Sequence, residues 1–202
     1  MPRKTAYFDV ACVIGISLLY VGFEVGLVPK RWSYLAVAVF FAAFLAHVAR
    51  RGADSWRELG FRLDNIFPSI KAVGLFTLIA GGAIIVWAVV EGRATWSRQV
   101  AILLTLYPPW AIVQQLACQG MLHRNLMVLL PSRTLQVLIT SSAFAGIHVG
   151  NAPLVLLTFL AGVSWSLLYR RYPNLWILGA SHTVLAALVY PLVLGDDPLS
   201  RF

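Results

Sequence analysis

Tyr107-Pro108-Pro109-Trp110-Ala111-Ile112-Val113-Gln114-Gln115-Leu116-Ala117-Cys118-Gln119-Gly120 is the stretch that decides the fold. It lies in an apolar block running from about 100 to 130 that holds no acidic residue, so its glutamines sit in a segment long enough to cross a bilayer. Amides in such a segment belong on a face turned to other helices or to a cavity, because lipid offers them no partner. Gln115 and Gln119 share a helical face at i, i+4, as do Gln114 and Cys118. Pro108 and Pro109 remove backbone donors one to two turns earlier and predict a bend above the amide cluster.

Working outward, six further apolar blocks occupy about 7–28, 33–49, 70–90, 133–149, 153–169 and 174–195. The expectation is an all-α, polytopic membrane bundle of about seven transmembrane helices, within a range of six to eight. Composition agrees: the 202 residues are 59% hydrophobic and only 12% charged, which a short water-soluble chain cannot hide, and disordered chains are poor in such residues. The net charge of +8 does not read as a nucleic-acid footprint, since the basic residues fall between apolar blocks rather than on one solvated face. Arg3, Lys4, Arg50, Arg51, Arg57, Arg62, Lys71, Arg124, Arg133, Arg170 and Arg171 would share one side, against Lys30, Arg31, Arg93, Arg98 and Arg201 on the other. That excess predicts an integral protein of the cell (inner or plasma) membrane with a cytoplasmic N-terminus. The first block is too long for a signal-peptide core and runs into Val28-Pro29-Lys30 without a small-residue cleavage site, so it reads as a retained span.

The chain divides near residue 98. Residues 1–98 hold the N-terminal spans and a linker at 50–71, where Trp56, Leu59, Phe61, Leu63 and Ile66 alternate with Arg57, Glu58, Arg62 and Asp64 as an interfacial amphipathic segment does. Residues 99–195 form the core helical domain, followed by a short tail at 196–202. Nearly all unusual polar residues fall in that core: besides the amides, Ser141-Ser142-Ala143-Phe144-Ala145-Gly146-Ile147-His148 closes one block and Gly179-Ala180-Ser181-His182-Thr183 lies within another. Each histidine follows small residues that let a neighbouring helix approach. His123, beside Arg124, and His47, near Arg50, are poorer candidates because headgroup or aqueous contact suffices for them. Cys12 and Cys118, the two cysteines of the chain, fall in different blocks and suggest no disulfide or redox pair.

In order and spacing these residues resemble the CAAX protease and bacteriocin-processing family of intramembrane proteases, also called type II CAAX endopeptidases. That family carries Glu-Glu-x-x-x-Arg-Gly on one helix, Phe-x-x-x-His on the next and His-x-x-x-Asn on a later one. Gln114, Gln115, Gln119 and Gly120 stand in the first motif, Phe144 and His148 in the second, and His182 and Ala186 in the third. Trp56-Arg57-Glu58-Leu59-Gly60 resembles the linker such proteins carry before the catalytic half. The resemblance covers about 99–190 and implies an endopeptidase acting by water attack on a membrane-associated protein or peptide, without a cofactor or a metal. It assigns catalytic positions to Gln114, Gln115, His148 and His182, with Gln119 and Phe144 in support.

The departures bear on mechanism. A carboxylate can take a proton, whereas a carboxamide only donates and accepts hydrogen bonds. Replacing both glutamates and the arginine together leaves no unpaired charge, so the site is neutral as a unit. Three catalytic schemes follow: a histidine acting as base with the other donating to the oxyanion; Cys118 acting as a nucleophile activated by either histidine; or His148, His182 and Cys118 binding zinc. Glu24 is a further carboxylate to consider should the first span pack against the site. The competing expectation is an inactive relative that binds a hydrophobic or lipidated peptide or serves as a membrane partner or immunity factor. A small transporter is disfavoured for want of an inverted repeat.

Overall fold

A computed structural model describes residues 3–24, 30–50, 53–94 and 98–195, and among them every regular element is helical. In chain order these are α1 (Arg3–Glu24), α2 (Lys30–Arg50), α3 (Ala53–Leu59), α4 (Ile66–Val90), α5 (Arg98–Leu106), α6 (Pro108–Gln115), α7 (Arg124–Leu129), α8 (Arg133–Gly146), α9 (Ala152–Arg171) and α10 (Leu175–Leu188). Two π-helical segments continue the rods: Leu116–His123 joins α6 to α7, and Val189–Leu194 extends α10. The side chain of Glu24 and the tail at 196–202 lie outside the described residues.

By length and composition, four of the described helices can cross a membrane, or five if the bent pair Arg98–Leu106 and Pro108–Leu129 is one span. The helix α2 runs for 21 residues, whereas α8 has only 14. The bend of 54° falls at Tyr107, where Pro108 and Pro109 open α6, as their missing donors lead one to expect.

Local signals fix the helix starts. Ser132, Asn151 and Asn174 each hold an extended backbone, and their side chains accept from the amides of Leu135, Leu154 and Ile177. The lipid-facing sides remain apolar, with Leu78 of α4 75% exposed. Inward, small residues let the helices approach. A Cβ placed on Gly179 of α10 would lie 2.7 Å from Cγ1 of Ile112 on α6, and one on Gly162 of α9 would lie 3.1 Å from Cα of Ser141 on α8.

The linker is more than an interfacial segment. Its backbone and side chains grip the core at one end of the bundle. Tyr169 donates its hydroxyl to the Leu59 carbonyl (2.9 Å), the amide of Leu175 donates to the Gly60 carbonyl (2.8 Å), and Asn174 donates to the Arg62 carbonyl (2.9 Å) and to Asn65 (2.8 Å). Gly60 holds φ +101°, and a Cβ there would meet the Tyr169 ring at 3.0 Å. Arg124 pairs with Glu58 at 2.5 Å, and Trp56, Phe61 and Trp176 stack edge to face. Leu63 and Phe67 stay exposed beside this clamp. Residues near Arg57, Arg62, Arg124 and Arg170 thus gather at one end, while Arg93 donates to the Val193 carbonyl at the other (2.8 Å).

Candidate functional site

Phe144 is the hub of the candidate site. Its ring, 2% exposed, meets those of His148 (5.2 Å between centroids), His182 (5.5 Å) and Trp165 (5.8 Å). His148 follows α8 in a turn, and its Nδ1 lies 2.9 Å from the Phe144 carbonyl. A carbonyl can only accept, so Nδ1 carries the proton and neutral His148 keeps its lone pair on Nε2.

His182, on α10, is held differently. Tyr107, Phe144 and Trp165 wall its ring, the last at 4.8 Å, and Gln115 Nε2 lies 3.4 Å from its Nδ1. An amide nitrogen can only donate, so Nδ1 accepts and the proton resides on Nε2. The two imidazoles therefore offer opposite functions at Nε2, an acceptor on His148 and a donor on His182. Both line one cavity of about 50 Å³, together with Tyr107, Phe144, Trp165, Ala186 and Tyr190. Ala186 stands where the resembled motif has asparagine, and the described residues lining this cavity include no carboxylate.

The glutamines divide. Gln115 backs His182, and Gln119, 1% exposed, donates to Ser166 of α9 at 3.2 Å. The Oε1 atoms of Gln115 and Gln119 find no hydrogen-bond partner among the described residues. Gln114 instead lines a second cavity, of about 60 Å³, with Cys118, Trp110 and residues of α1 and α2 such as Val13, Tyr20 and Phe41. The shared face expected for Gln114 and Cys118 is present in that cavity. Convergence of Gln114, Gln115, His148 and His182 on one space is only partial: the histidines share it, Gln115 touches it through His182, and Gln114 reaches it through Tyr107, whose hydroxyl donates to Gln114 Oε1 at 3.3 Å. Cys118 and the histidines line different cavities. Among the described residues no group of three or more His, Cys, Asp or Glu side chains is placed to hold a metal ion.

One sequence expectation is corrected. His123 is not an interfacial residue but 0% exposed, with Nδ1 3.0 Å from the Thr140 hydroxyl and its ring against Tyr169. The π-helical segment from Leu116 to His123 widens each turn and carries residue 123 into the core, whereas a headgroup contact needs an outward face. Sequence reasoning also missed Tyr107, Trp165, Ser166 and Ser181. Trp165 donates to Ser181 at 3.1 Å, and Ser181 shares a hydrogen bond with Thr77 of α4 at 2.7 Å. The available signal was the row of small polar residues on otherwise apolar α9 and α10. Asp9, an acid within the first apolar block, accepts from Asn125 at 3.2 Å and ties α1 to α7.

Residues 96–188 match the family model of the type II CAAX prenyl endopeptidases described as Rce1-like. No curated protein and no solved structure matches the chain.

Proposed function

From the premise that this chain is a CAAX-protease-like membrane protein, on the match of residues 96–188 to the Rce1-like family, we propose that it is an intramembrane endopeptidase working through a histidine pair. The observation that carries the reading is the single cavity lined by His148 and His182, whose Nδ1 atoms face a carbonyl and an amide nitrogen respectively.

His148 Nε2 takes a proton from a water as its oxygen attacks the carbonyl carbon of the scissile bond. His182 Nε2–H donates to the oxygen that becomes negative. Protonated His148 then passes its proton to the departing amide nitrogen, the C–N bond breaks, and a carboxyl group and an amine result. Gln115 orients His182, Phe144 anchors both rings, and Gln119 pins the helix to α9 through Ser166. The substrate is a membrane-associated protein or peptide, approached by a protein whose basic-rich end, with the N-terminus, faces the cytoplasm.

That Gln114 and Gln115 stand where the family motif has glutamates favours a second reading, a relative that binds such a peptide without cleaving it. A histidine with no carboxylate behind it is a weaker base than one so paired, so such a site is expected to turn over slowly. The test pairs cleavage with binding, using vesicle-reconstituted protein and a fluorogenic apolar peptide with and without an isoprenyl group. Products from the wild type support the peptidase. Binding without products, with turnover appearing only in Gln114→Glu, supports the binding protein.

A further inference from the structure

We propose that Gln115 is a positioning residue that fixes the tautomer of His182, and so makes His182 a donor toward whatever enters the cavity. The inference rests on reading the His148–His182 cavity as the site, and it changes the task of Gln115 from handling water to setting a proton on a neighbouring ring.

The ring of His182 is confined by its neighbours. Trp165 lies against it at 4.8 Å and 39°, Phe144 meets it at 90° and Tyr107 at 71°. These aromatic contacts set the plane but are indifferent to which nitrogen bears the proton. That choice falls to Gln115, at 3.4 Å from Nδ1 and 1% exposed.

The amide could face Nδ1 with either end, and burial decides between them. With Nε2 toward the ring, Gln115 leaves its Oε1 without a partner among the described residues. Turned around, it would bury N–H groups without acceptors, the rarer and costlier orphan. The observed orientation is the better one, and it places the proton on His182 Nε2. An ionised carboxylate at 115 would do the reverse, because it accepts from Nδ1–H and frees Nε2 as an acceptor. The amide thus changes the chemistry offered by His182 while leaving its geometry alone. Gln119 supplies the internal control: it is equally buried on the same rod, but its amide is engaged with Ser166 and not with a histidine.

The experiment is nitrogen NMR of protein carrying ¹⁵N-labelled histidine in lipid nanodiscs, with the His182 signals assigned by their loss in His182→Gln. Wild type and Gln119→Leu are expected to show one His182 tautomer, protonated at Nε2. Gln115→Leu is expected to show loss of that preference. A wild-type His182 protonated at Nδ1 would overturn the proposal even if no variant folds, and so would an Nε2–H tautomer unchanged in Gln115→Leu. Failure of the peptidase reading is separate: peptide cleavage can be absent while the tautomer responds as expected, and the reverse would sink this inference alone.

Discussion

Tyr107 and Gln114 are joined across the bend between α5 and α6, the tyrosine hydroxyl donating to the amide oxygen at 3.3 Å. Tyr107 lines the histidine cavity and Gln114 the apolar cavity beside α1 and α2, so this bond couples the walls of two separate spaces. Tyr107→Phe keeps the ring against His182 and removes the donor. The expected loss is about 1 kcal/mol, as for other buried side-chain bonds in membrane proteins, read as a lowered unfolding midpoint in mixed micelles.

Gly179 lets α10 lie directly on α6. Gly179→Ala would press a Cβ to 2.7 Å from Cγ1 of Ile112, whose branched side chain has little room to turn aside. A destabilisation of about 1–3 kcal/mol is expected, as for other overpacked contacts. Ile112→Ala in the same chain should recover most of it in the same unfolding assay. A double variant no better than Gly179→Ala would show that the contact does not set this helix spacing.

Tyr169 anchors the linker to the core. Tyr169→Phe would leave the Leu59 carbonyl without its donor at a buried position, at a cost of about 1–3 kcal/mol. Hydrogen exchange should then quicken first in 56–65, before the α8–α9 pair is affected.

The outer part of the same clamp responds to acid. A hydrogen bond from Arg62 is the main reason the Asp64 carboxyl sits at about 2, below its ordinary value of 3.8. A depressed carboxyl contributes stability that is fully present above its unfolded value and is lost as pH falls through the folded one. Linker protection should therefore hold above about pH 4 and decline toward pH 2. Asp64 is exposed, so the effect is small and weakens with salt. Asp64→Asn should remove the dependence, as followed by hydrogen exchange of 57–65.

Much of this was legible in the residues. Apolar blocks gave the helices, Pro108-Pro109 the bend, and the order of Gln114, Phe144, His148 and His182 the resemblance to the family whose model residues 96–188 match. The number of spans was less so, because hydropathy marks α8 as apolar without saying that its helix holds only 14 residues. The division of the glutamines was hidden for a different reason. Adjacent helical residues point about 100° apart, so Gln114 and Gln115 had to face different surroundings, and which surroundings depends on how α1, α2 and α10 pack around α6. His123 was misjudged because a π-helical segment, which leaves no mark in a residue pattern read at 3.6 per turn, rotates it inward. Tyr169 and Leu59 lie far apart in sequence, and no local pattern announces their bond.

The central claim is that the two histidines work as base and donor. It is tested most directly by the cleavage rate of one apolar peptide by reconstituted wild type, His148→Ala and His182→Ala, each first shown to fold by its unfolding midpoint. The account predicts that His148→Ala loses turnover by about 10²- to 10⁴-fold and His182→Ala by about 10²- to 10³-fold, with peptide binding retained in both. Wild-type turnover that survives both substitutions unchanged would contradict it.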